Sequence, residues 1–447
     1  MKRSAWRYLW SAHDIRRKLL LTLLILAIYR LASHIPVPGA NKDVMAQILS
    51  AGGATGNLIN ILDLLSGGTV SRFSVLAMGV YPYITAQIIL QLLTPIIPSL
   101  QKRMEEDPRE GQKWQEKWTY YLAVPMAALQ AIGQVNIFNS SATRIGLSPV
   151  IQNFGFHYLL PSVTIIVSMT AGTMFGIWLG ELISEYGLRN QGLSLIIFAG
   201  IVARIPSTIS SIYADTTTRW IGLTFMVILS VITIFFIVIV QQGRRNVPVM
   251  YPGRRVGTRM SMPVKGTLPL MVNMAGMIPI IFAQSLLTFP SIIASFFTSA
   301  KNATIANIAT FISNTFGGTG NAYWVMYFLM VVFFSFFYTD VLFAQQNYGE
   351  NLKKVGAQIP GVSRGNPTQK YLTKVLRRIT LPGAIFLGIV AILPWLVGLV
   401  VPFGKSTGLL LTSSSGLLIV VGVVRDVFFS IDADLKLHGY DDTLLVR

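Results

Sequence analysis

The sequence predicts an all-α polytopic membrane protein with ten transmembrane helices, and three observations lead to this fold class. Hydrophobic residues make up 52% of the 447 residues and charged residues only 12%, whereas a soluble domain usually carries roughly 25% charged residues. Ten apolar segments follow one another, each near the ~20 residues that cross a bilayer as a helix. Most Lys and Arg residues lie in alternate connections between these segments, as expected of cytosolic loops.

The ten predicted spans lie near residues 18–35, 74–99, 118–138, 158–182, 193–213, 219–241, 268–290, 323–344, 379–402 and 409–429. Many contain Pro, Gly or Ser, which membrane helices tolerate when their neighbours satisfy the freed backbone groups. The basic residues concentrate in the N-terminal tail, in the connections after the second, sixth and eighth spans, and in the C-terminal tail. This bias predicts that both termini are cytosolic.

A short apolar run precedes the second span. The apolar run over residues 58–65 is too short to cross a bilayer as a helix. It is then interrupted by Ser66, Gly67 and Gly68. One interpretation is a re-entrant half-helix folded into a cavity within the membrane, where irregular backbone is tolerated. The alternative is an ordinary surface loop before a membrane helix, and the spacing alone leaves both open.

Ten spans divide into two groups of five. An odd number of spans per half reverses the second half in the membrane, as an inverted repeat requires. We therefore expect an N-terminal half over residues 1–213 and a C-terminal half over residues 214–447, with a site near the midplane between them.

Two connections on the predicted cytosolic side, about 241–267 and 346–378, are longer and more basic than topology requires. Their charges orient the helices, and they also suit an acidic partner such as ribosomal RNA or a motor protein. The candidate docking residues in the first loop are Arg244, Arg245, Arg254 and Arg255.

The sequence offers no catalytic, metal or cofactor site. It has no cysteine, which excludes thiolate chemistry, and its four histidines are too scattered for a metal site. Residues 404–407 (GKST) resemble the last residues of a phosphate-binding loop, but that motif requires a glycine at the position of Leu399. These features count against two function classes that we consider as alternatives, first a secondary transporter and then a membrane enzyme. Buried carboxylates, which a transporter needs, are scarce.

One further pattern concerns helix packing. Gly172, Gly176 and Gly180 form a doubled Gly-x-x-x-Gly ridge in the fourth span. Such a ridge lets helices approach closely, so we interpret it as structural.

Five colinear stretches together resemble the SecY family of bacterial protein-translocation channels. They are IPVPG at 35–39, SRFS at 71–74, WLGE at 178–181, VNMAG at 272–276 and GLLIVV at 416–421. The resemblance runs along essentially the whole chain. It implies two inverted five-helix halves around an hourglass pore, with the half-helix at about 57–70 as a plug.

The resemblance also implies roles for particular residues. The plug and its hinge would include Ile61, Leu65, Ser66, Gly67, Gly68 and Arg72. A ring of aliphatic side chains would form the waist of the pore, from Val80, Ile84, Leu193, Ile197, Ile281 and Ile419. An apolar constriction dewets and so resists ion leakage.

A lateral gate is implied between the second and third spans on one side and the seventh and eighth on the other, with Asn273 lining it. The family receives the ribosome or the SecA ATPase on its basic loops, where Arg259 matches a family arginine. Arg364 lies one position later than the family's second loop arginine, so its equivalence stays open.

The function that the resemblance implies is a protein-conducting channel subunit of the bacterial plasma (inner) membrane, not an enzyme. It would pass unfolded polypeptides across the membrane and release apolar segments sideways into lipid, driven by SecA or the ribosome. The implied partners are SecE-like and SecG-like small membrane subunits, signal peptides, nascent chains and the lipid bilayer, without a cofactor.

Overall fold

The fold is built from long helices and one β-ribbon. The structure is a computed structural model that describes residues 13–51, 69–94, 97–144, 146–152, 154–155, 158–188, 191–214, 219–252, 255–256, 259–260, 264–297, 302–316, 321–400 and 413–437.

The N-terminal half contributes α1 (His13–Ala32), α2 (Lys42–Ala51), α3 (Tyr81–Leu93), α4 (Pro98–Glu106), α5 (Pro108–Arg144), α6 (Leu159–Tyr186) and α7 (Gly192–Ala214). The C-terminal half contributes α8 (Arg219–Gln242), α9 (Ile278–Phe297), α10 (Ala303–Phe316), α11 (Asn321–Gln345), α12 (Tyr348–Lys354), α13 (Asn366–Val400) and α14 (Ser413–Leu437). Between α8 and α9 lie β1 (Arg244–Tyr251), β2 (Arg255–Val256), β3 (Arg259–Met260) and β4 (Val264–Met271).

Each of the ten predicted spans overlaps a helix. Among the described residues, five helices are long and apolar enough to cross a membrane, and six are if the bent pair of α3 and α4 counts as one span. Four of them lie within α5, α6, α8 and α13, and the fifth runs over α11 and α12. The remaining predicted spans correspond to α1, α7, α9 and α14.

The second span is not the continuous helix expected over 74–99. Residues 75–80 form turns, with Gly79 at φ +52°, a conformation that favours glycine. The helix begins at Tyr81 with Pro82 in its first turn, where the missing N–H of proline leaves no bond unmade. After Leu93 the chain turns, and α4 lies at 96° to α3.

The seventh span also starts later than expected, because residues 264–271 pair with residues 244–251 as an antiparallel ribbon. Inside this ribbon, β2 and β3 form a second, shorter pair. The helix α9 begins only at Ile278, after Gly276 at φ +64°. The predicted basic loop is therefore an ordered β-ribbon, which its Gly- and Pro-rich composition did not indicate.

Three apolar clusters form the core. The largest combines both halves and includes Ile177, Ile196, Phe282, Tyr327 and Leu387. The second packs α2 and the segment before α3 against α5 and α6. The third joins the β-ribbon to α11, α12 and the start of α13.

The glycine ridge of α6 allows the predicted close packing. A Cβ atom on Gly172 would lie 2.2 Å from the carbonyl oxygen of Val75, whereas one on Gly176 would meet only ordinary contacts at 3.5 Å or more. Gly180 faces Leu193 at the start of α7. The ridge thus lets α6 approach the turn before α3 and the helix α7.

Candidate functional site

The six aliphatic residues predicted to form a ring lie in one apolar cluster. Four of them are core members of the largest cluster, and Ile84 and Leu193 pack against it. They come from four places that are far apart in sequence, namely the start of α3, the start of α7, the first turn of α9 and the second turn of α14. Val80 is 1% exposed and Ile419 is 2% exposed. The fold therefore brings side chains of both halves together at its centre.

A polar seam borders this apolar centre where α3 and α5 pack against α9. The Tyr81 hydroxyl donates a hydrogen bond of 3.3 Å to the backbone oxygen of Ser285, and so links α3 to α9. Gln130 Nε2 of α5 donates to Thr85 Oγ1 of α3 at 3.2 Å. Among the residues that the structure describes, few direct polar contacts hold the seam together.

Several buried polar atoms at this seam have no hydrogen-bond partner among the described residues. They are the side-chain oxygens Gln130 Oε1, Gln134 Oε1, Gln284 Oε1 and Ser291 Oγ. Polar groups in an apolar interior are costly when they are unpaired. The closed contact between α3, α5 and α9 is consequently less favourable than an apolar interface of equal size.

The sequence analysis expected a gate between these spans but missed the polar residues that line the seam, although a signal for them was present. Gln130 and Gln134 are four residues apart, and Gln284, Thr288 and Ser291 recur at spacings of four and three. That period places each set on one helix face. Neutral polar residues in register inside apolar spans could have indicated it.

The segment that follows the predicted plug is firmly anchored. The backbone of Phe73 accepts a hydrogen bond from Val37 N at 3.0 Å, and Val75 N donates to Ile35 at 2.9 Å. Thr69 Oγ1 donates to the backbone oxygen of Leu76 at 2.7 Å. Phe73 has φ +44° and is 1% exposed, its ring meeting Phe138 edge-on at 5.2 Å.

Most of the predicted plug itself lies outside the described residues. This applies to Ile61, Leu65, Ser66, Gly67 and Gly68. Arg72 is described, and its side chain is exposed in the single 3-10 turn Val70–Arg72. The hydrogen-bonded turn at residues 69–76 is therefore the place where the predicted plug joins the rest of the fold.

Asn273 lies in the turn between β4 and α9 rather than within a helix. It is 4% exposed, and its Nδ2 donates to the backbone oxygen of Gly276 at 3.0 Å. This bond closes the turn that leads into α9. The residue is therefore located where it orients the start of a helix of the seam.

The two basic loops form a single unit, which we call the platform: β1, β4, α12 and the first turns of α13. Met250 of β1 and Gln358 exchange two backbone hydrogen bonds of 2.8 and 2.9 Å. Val247, Leu270, Leu352 and Leu372 fill the core between the two loops. The loops are thus held in fixed positions relative to each other.

The platform carries the predicted docking arginines at different places. Arg244 and Arg245 begin β1 and are exposed. Arg255 and Arg259 lie on the short pair β2–β3, and Arg254 lies outside the described residues. Arg364 is exposed, and its Nε donates to Gln358 Oε1 at 3.2 Å. Arg364 is therefore tied to the residue that bridges the two loops.

Over the described part of the chain, no group of three or more His, Asp or Glu side chains is placed to hold a metal ion. The described site consists of an apolar centre, a polar seam and a basic platform.

Comparison with known proteins identifies the family. The SecY family model matches residues 74–428, a range that includes all six ring residues and both loops of the platform. The chain belongs to the SecY family. The anchored turn before α3, the seam and the platform all lie within or beside the matched range.

Several relatives match along nearly their whole length. The protein translocase subunit SecY of Aquifex aeolicus is 39% identical over 439 residues, which is 97% of each chain. The subunit of the same name from Streptomyces coelicolor is 37% identical over 448 residues, 99% of each chain. That of Thermotoga maritima is 37% identical over 442 residues, 98% of this chain and 96% of the relative.

Solved structures share the fold. One, described as a protein-conducting channel, matches with a TM-score of 0.53 at 17% identity over 96% of this chain and 95% of that one. Another, a SecY protein whose plug domain stabilises the closed channel, has a TM-score of 0.57 at 18% identity with the same coverage. The predicted helical SecY-like fold class is thereby confirmed.

Proposed function

We propose that this protein is the channel-forming subunit of a bacterial protein translocase, which passes unfolded polypeptides across the membrane. The observation that carries the proposal is the convergence of Val80, Ile84, Leu193, Ile197, Ile281 and Ile419 on one apolar cluster between the two halves. Membership of the SecY family and the names of the relatives support it.

An aliphatic waist suits this task for a physical reason. A narrow apolar passage excludes water, and so blocks ions when it is empty. Aliphatic side chains make non-directional contacts, so they close around a passing chain without recognising its sequence. The waist is therefore a seal that any unfolded polypeptide can displace.

The waist is tested by polar substitution. We expect Ile84→Asn and Ile281→Asn to raise the ion conductance of planar bilayers holding the purified protein, because an amide favours water in the constriction. Ile281→Leu is the matched control, since it nearly conserves volume and polarity. Conductance equal to that of the unmodified protein in both Asn variants would remove these residues from the ring.

The segment of about 57–70, with Ile61, Leu65, Ser66, Gly67, Gly68 and Arg72, is proposed as the plug and its hinge. Support comes from the anchored turn 69–76, which fixes the end of that segment beside the start of α3. A rigid anchor lets the segment before it move without disturbing Val80 and Ile84.

The seam between α3, α5 and α9 is proposed as a lateral gate, with Asn273 orienting the start of α9. Its unpaired polar atoms support this role, because they lower the cost of separating the helices. Polar contacts between membrane helices contribute only about 0.6–2 kcal/mol each. The gate can therefore release an apolar segment of a passing chain into lipid.

The platform is proposed as the docking site for SecA or the ribosome, through Arg244, Arg245, Arg254, Arg255, Arg259 and Arg364. The rigid connection of the two loops supports it, because a fixed pattern of charges suits a specific acidic partner. We expect the double reversal Arg259→Glu/Arg364→Glu to weaken binding of SecA and ribosomes to proteoliposomes at least tenfold.

The matched control for docking is Arg16→Glu/Arg17→Glu, which reverses two exposed charges at the start of α1. It should leave the affinity within about twofold, because most exposed charges far from an interface matter little. Unchanged binding of both partners to the Arg259/Arg364 variant would remove the docking assignment.

The protein is proposed to lie in the bacterial inner membrane with both termini cytosolic, and to act as a conduit rather than an enzyme. The halves would be residues 1–213 and 214–447. SecE-like and SecG-like subunits would pack on helices such as α8, whose apolar side chains are largely exposed. Purification from native membranes should recover a small single-span subunit, and its consistent absence would contradict this assembly.

A further inference from the structure

A basic cavity lies between α11 and the first turns of α13, at the edge of the platform and apart from its loop arginines. Its volume is about 570 Å³, and it is lined in part by Lys370, Lys374, Arg377, Arg378 and Leu381 of α13 and by Phe336 of α11. No role in the waist, the seam or the platform's loop arginines uses these residues. The cavity is therefore a candidate binding site of its own.

The basic residues of the cavity lie along one face of α13. Positions 370, 374, 377, 378 and 381 recur at intervals of three or four, which places them on one side of a helix. Arg377 is neutralised, because its Nη2 lies 2.9 Å from Oδ2 of Asp340. Within the described residues, Lys370, Lys374 and Arg378 form no ion pair. The cavity thus keeps three uncompensated positive charges.

The lining changes from charged to apolar along the helix axis. Leu381 lies eleven residues after Lys370, a rise of about 16 Å at 1.5 Å per residue. It is 51% exposed at the apolar end of the cavity, and beyond it α13 continues as a predicted span. This sequence of charged, then apolar, surface matches a phospholipid from its headgroup to its first acyl carbons.

We propose that this cavity binds one anionic phospholipid. Its phosphate lies among Lys370, Lys374 and Arg378, and an acyl chain lies against Leu381 and Phe336. Basic cavities between membrane helices on the cytoplasmic side are suited to lipid headgroups. A soluble phosphate or an RNA uses the charges but leaves the apolar end without a partner, so the lining favours a lipid.

The test is native mass spectrometry of the purified full-length protein titrated with dioleoylphosphatidylglycerol, with dioleoylphosphatidylcholine in parallel. We expect one tightly retained phosphatidylglycerol and weaker phosphatidylcholine binding. Lys370→Gln/Lys374→Gln should weaken phosphatidylglycerol binding roughly thirtyfold, given the contribution of each basic residue near a lipid surface. Lys370→Arg/Lys374→Arg should retain it, because the charges stay.

The matched control is Lys353→Gln/Lys354→Gln, which removes two exposed charges of α12 that do not line the cavity. It should leave lipid affinity unchanged, and an equal loss would overturn the proposal in favour of general surface charge. Circular dichroism verifies that each variant keeps its helices, and Leu381→Asn provides a second test. The Leu381→Asn substitution should weaken the binding of dioleoylphosphatidylglycerol more than that of dihexanoylphosphatidylglycerol, whose acyl chains are shorter. Equal losses of binding would contradict the contact between an acyl chain and Leu381.

Two further arms separate the sources of phosphate. Millimolar inorganic phosphate should not displace the lipid, and complete displacement would identify a soluble-anion site instead. Ribosome binding should be the same in the Lys370/Lys374 variant and in the Lys353/Lys354 control. Loss of ribosome binding with unchanged lipid affinity would make the cavity a nucleic-acid contact and would refute the lipid site.

Discussion

At the scale of single residues, backbone conformation and side-chain size fix the region before α3. Phe73 adopts a left-handed conformation that is uncommon for a residue with a side chain, and its burial against Phe138 offsets that cost. Gly172 lets the backbone of Val75 approach α6. Both residues hold the turn that positions Val80.

Gly172 provides a sharp test of this packing. We expect Gly172→Ala to destabilise the protein by roughly 1–3 kcal/mol, because its methyl group would overlap the Val75 carbonyl and overpacking costs about that much. The measurement is thermal unfolding in detergent. Gly176→Ala, one turn away on the same helix, is the control, since its methyl group would make ordinary contacts.

The control should lie within about 1 kcal/mol of the unmodified protein, because alanine is the better helix former by roughly that amount. Equal stability of both variants would mean that α6 does not approach Val75 closely.

At the scale of elements, the contact between α3 and α9 decides whether the molecule can open sideways. A single direct bond, from Tyr81 to Ser285, is described between their polar groups, and several neighbouring oxygens are unpaired. The contact of α3 with α5 lies within one half instead, and it includes the bond between Gln130 and Thr85. The two contacts should therefore respond differently to cross-linking.

The chain has no native cysteine, so a thiol-reactive reagent modifies only the cysteines that are introduced. A short bis-methanethiosulfonate reagent joins Tyr81→Cys and Ser285→Cys through two disulfides, releases methanesulfinate and is cleaved by a reductant. We expect this cross-link to reduce membrane insertion of apolar segments at least tenfold, because the helices can no longer separate. Cleavage of the reagent should restore insertion. The control pair Thr85→Cys/Gln130→Cys joins two helices of one half and should have little effect. Normal insertion through the cross-linked Tyr81/Ser285 variant would exclude this seam as the exit.

At the scale of the whole molecule, the positions of the basic residues set the orientation in the membrane. Most described Lys and Arg residues of the C-terminal half lie on the platform and near the start of α13. By contrast, α10 contains no Lys or Arg. Positive charge resists translocation, so the platform should stay in the cytosol.

Single cysteines test this orientation. With a membrane-impermeant maleimide on intact spheroplasts, Asn302→Cys, just before α10, should be labelled. Lys353→Cys, on the platform, should be labelled only after permeabilisation, because the bilayer shields it. The reverse pattern would invert the topology and place the termini outside.

The sequence by itself determined the membrane class, the number of spans and their order, because these depend on composition and on the local length of apolar runs. The five colinear motifs at 35–39, 71–74, 178–181, 272–276 and 416–421 together indicated the family. The close packing of α6 was also visible, since small residues at a spacing of four need no knowledge of their partner.

Only the tertiary structure decided what depends on contacts between distant segments. The β-ribbon and the late start of α9 arise from the pairing of residues 244–251 with residues 264–271. The bridge from Met250 to Gln358 joins residues that are 108 positions apart. No local pattern encodes these contacts. The same holds for the seam, where an amide in α5 or α9 is costly or harmless according to the helix opposite. Periodicity fixes the face of a helix on which a residue lies, and packing fixes what that face meets.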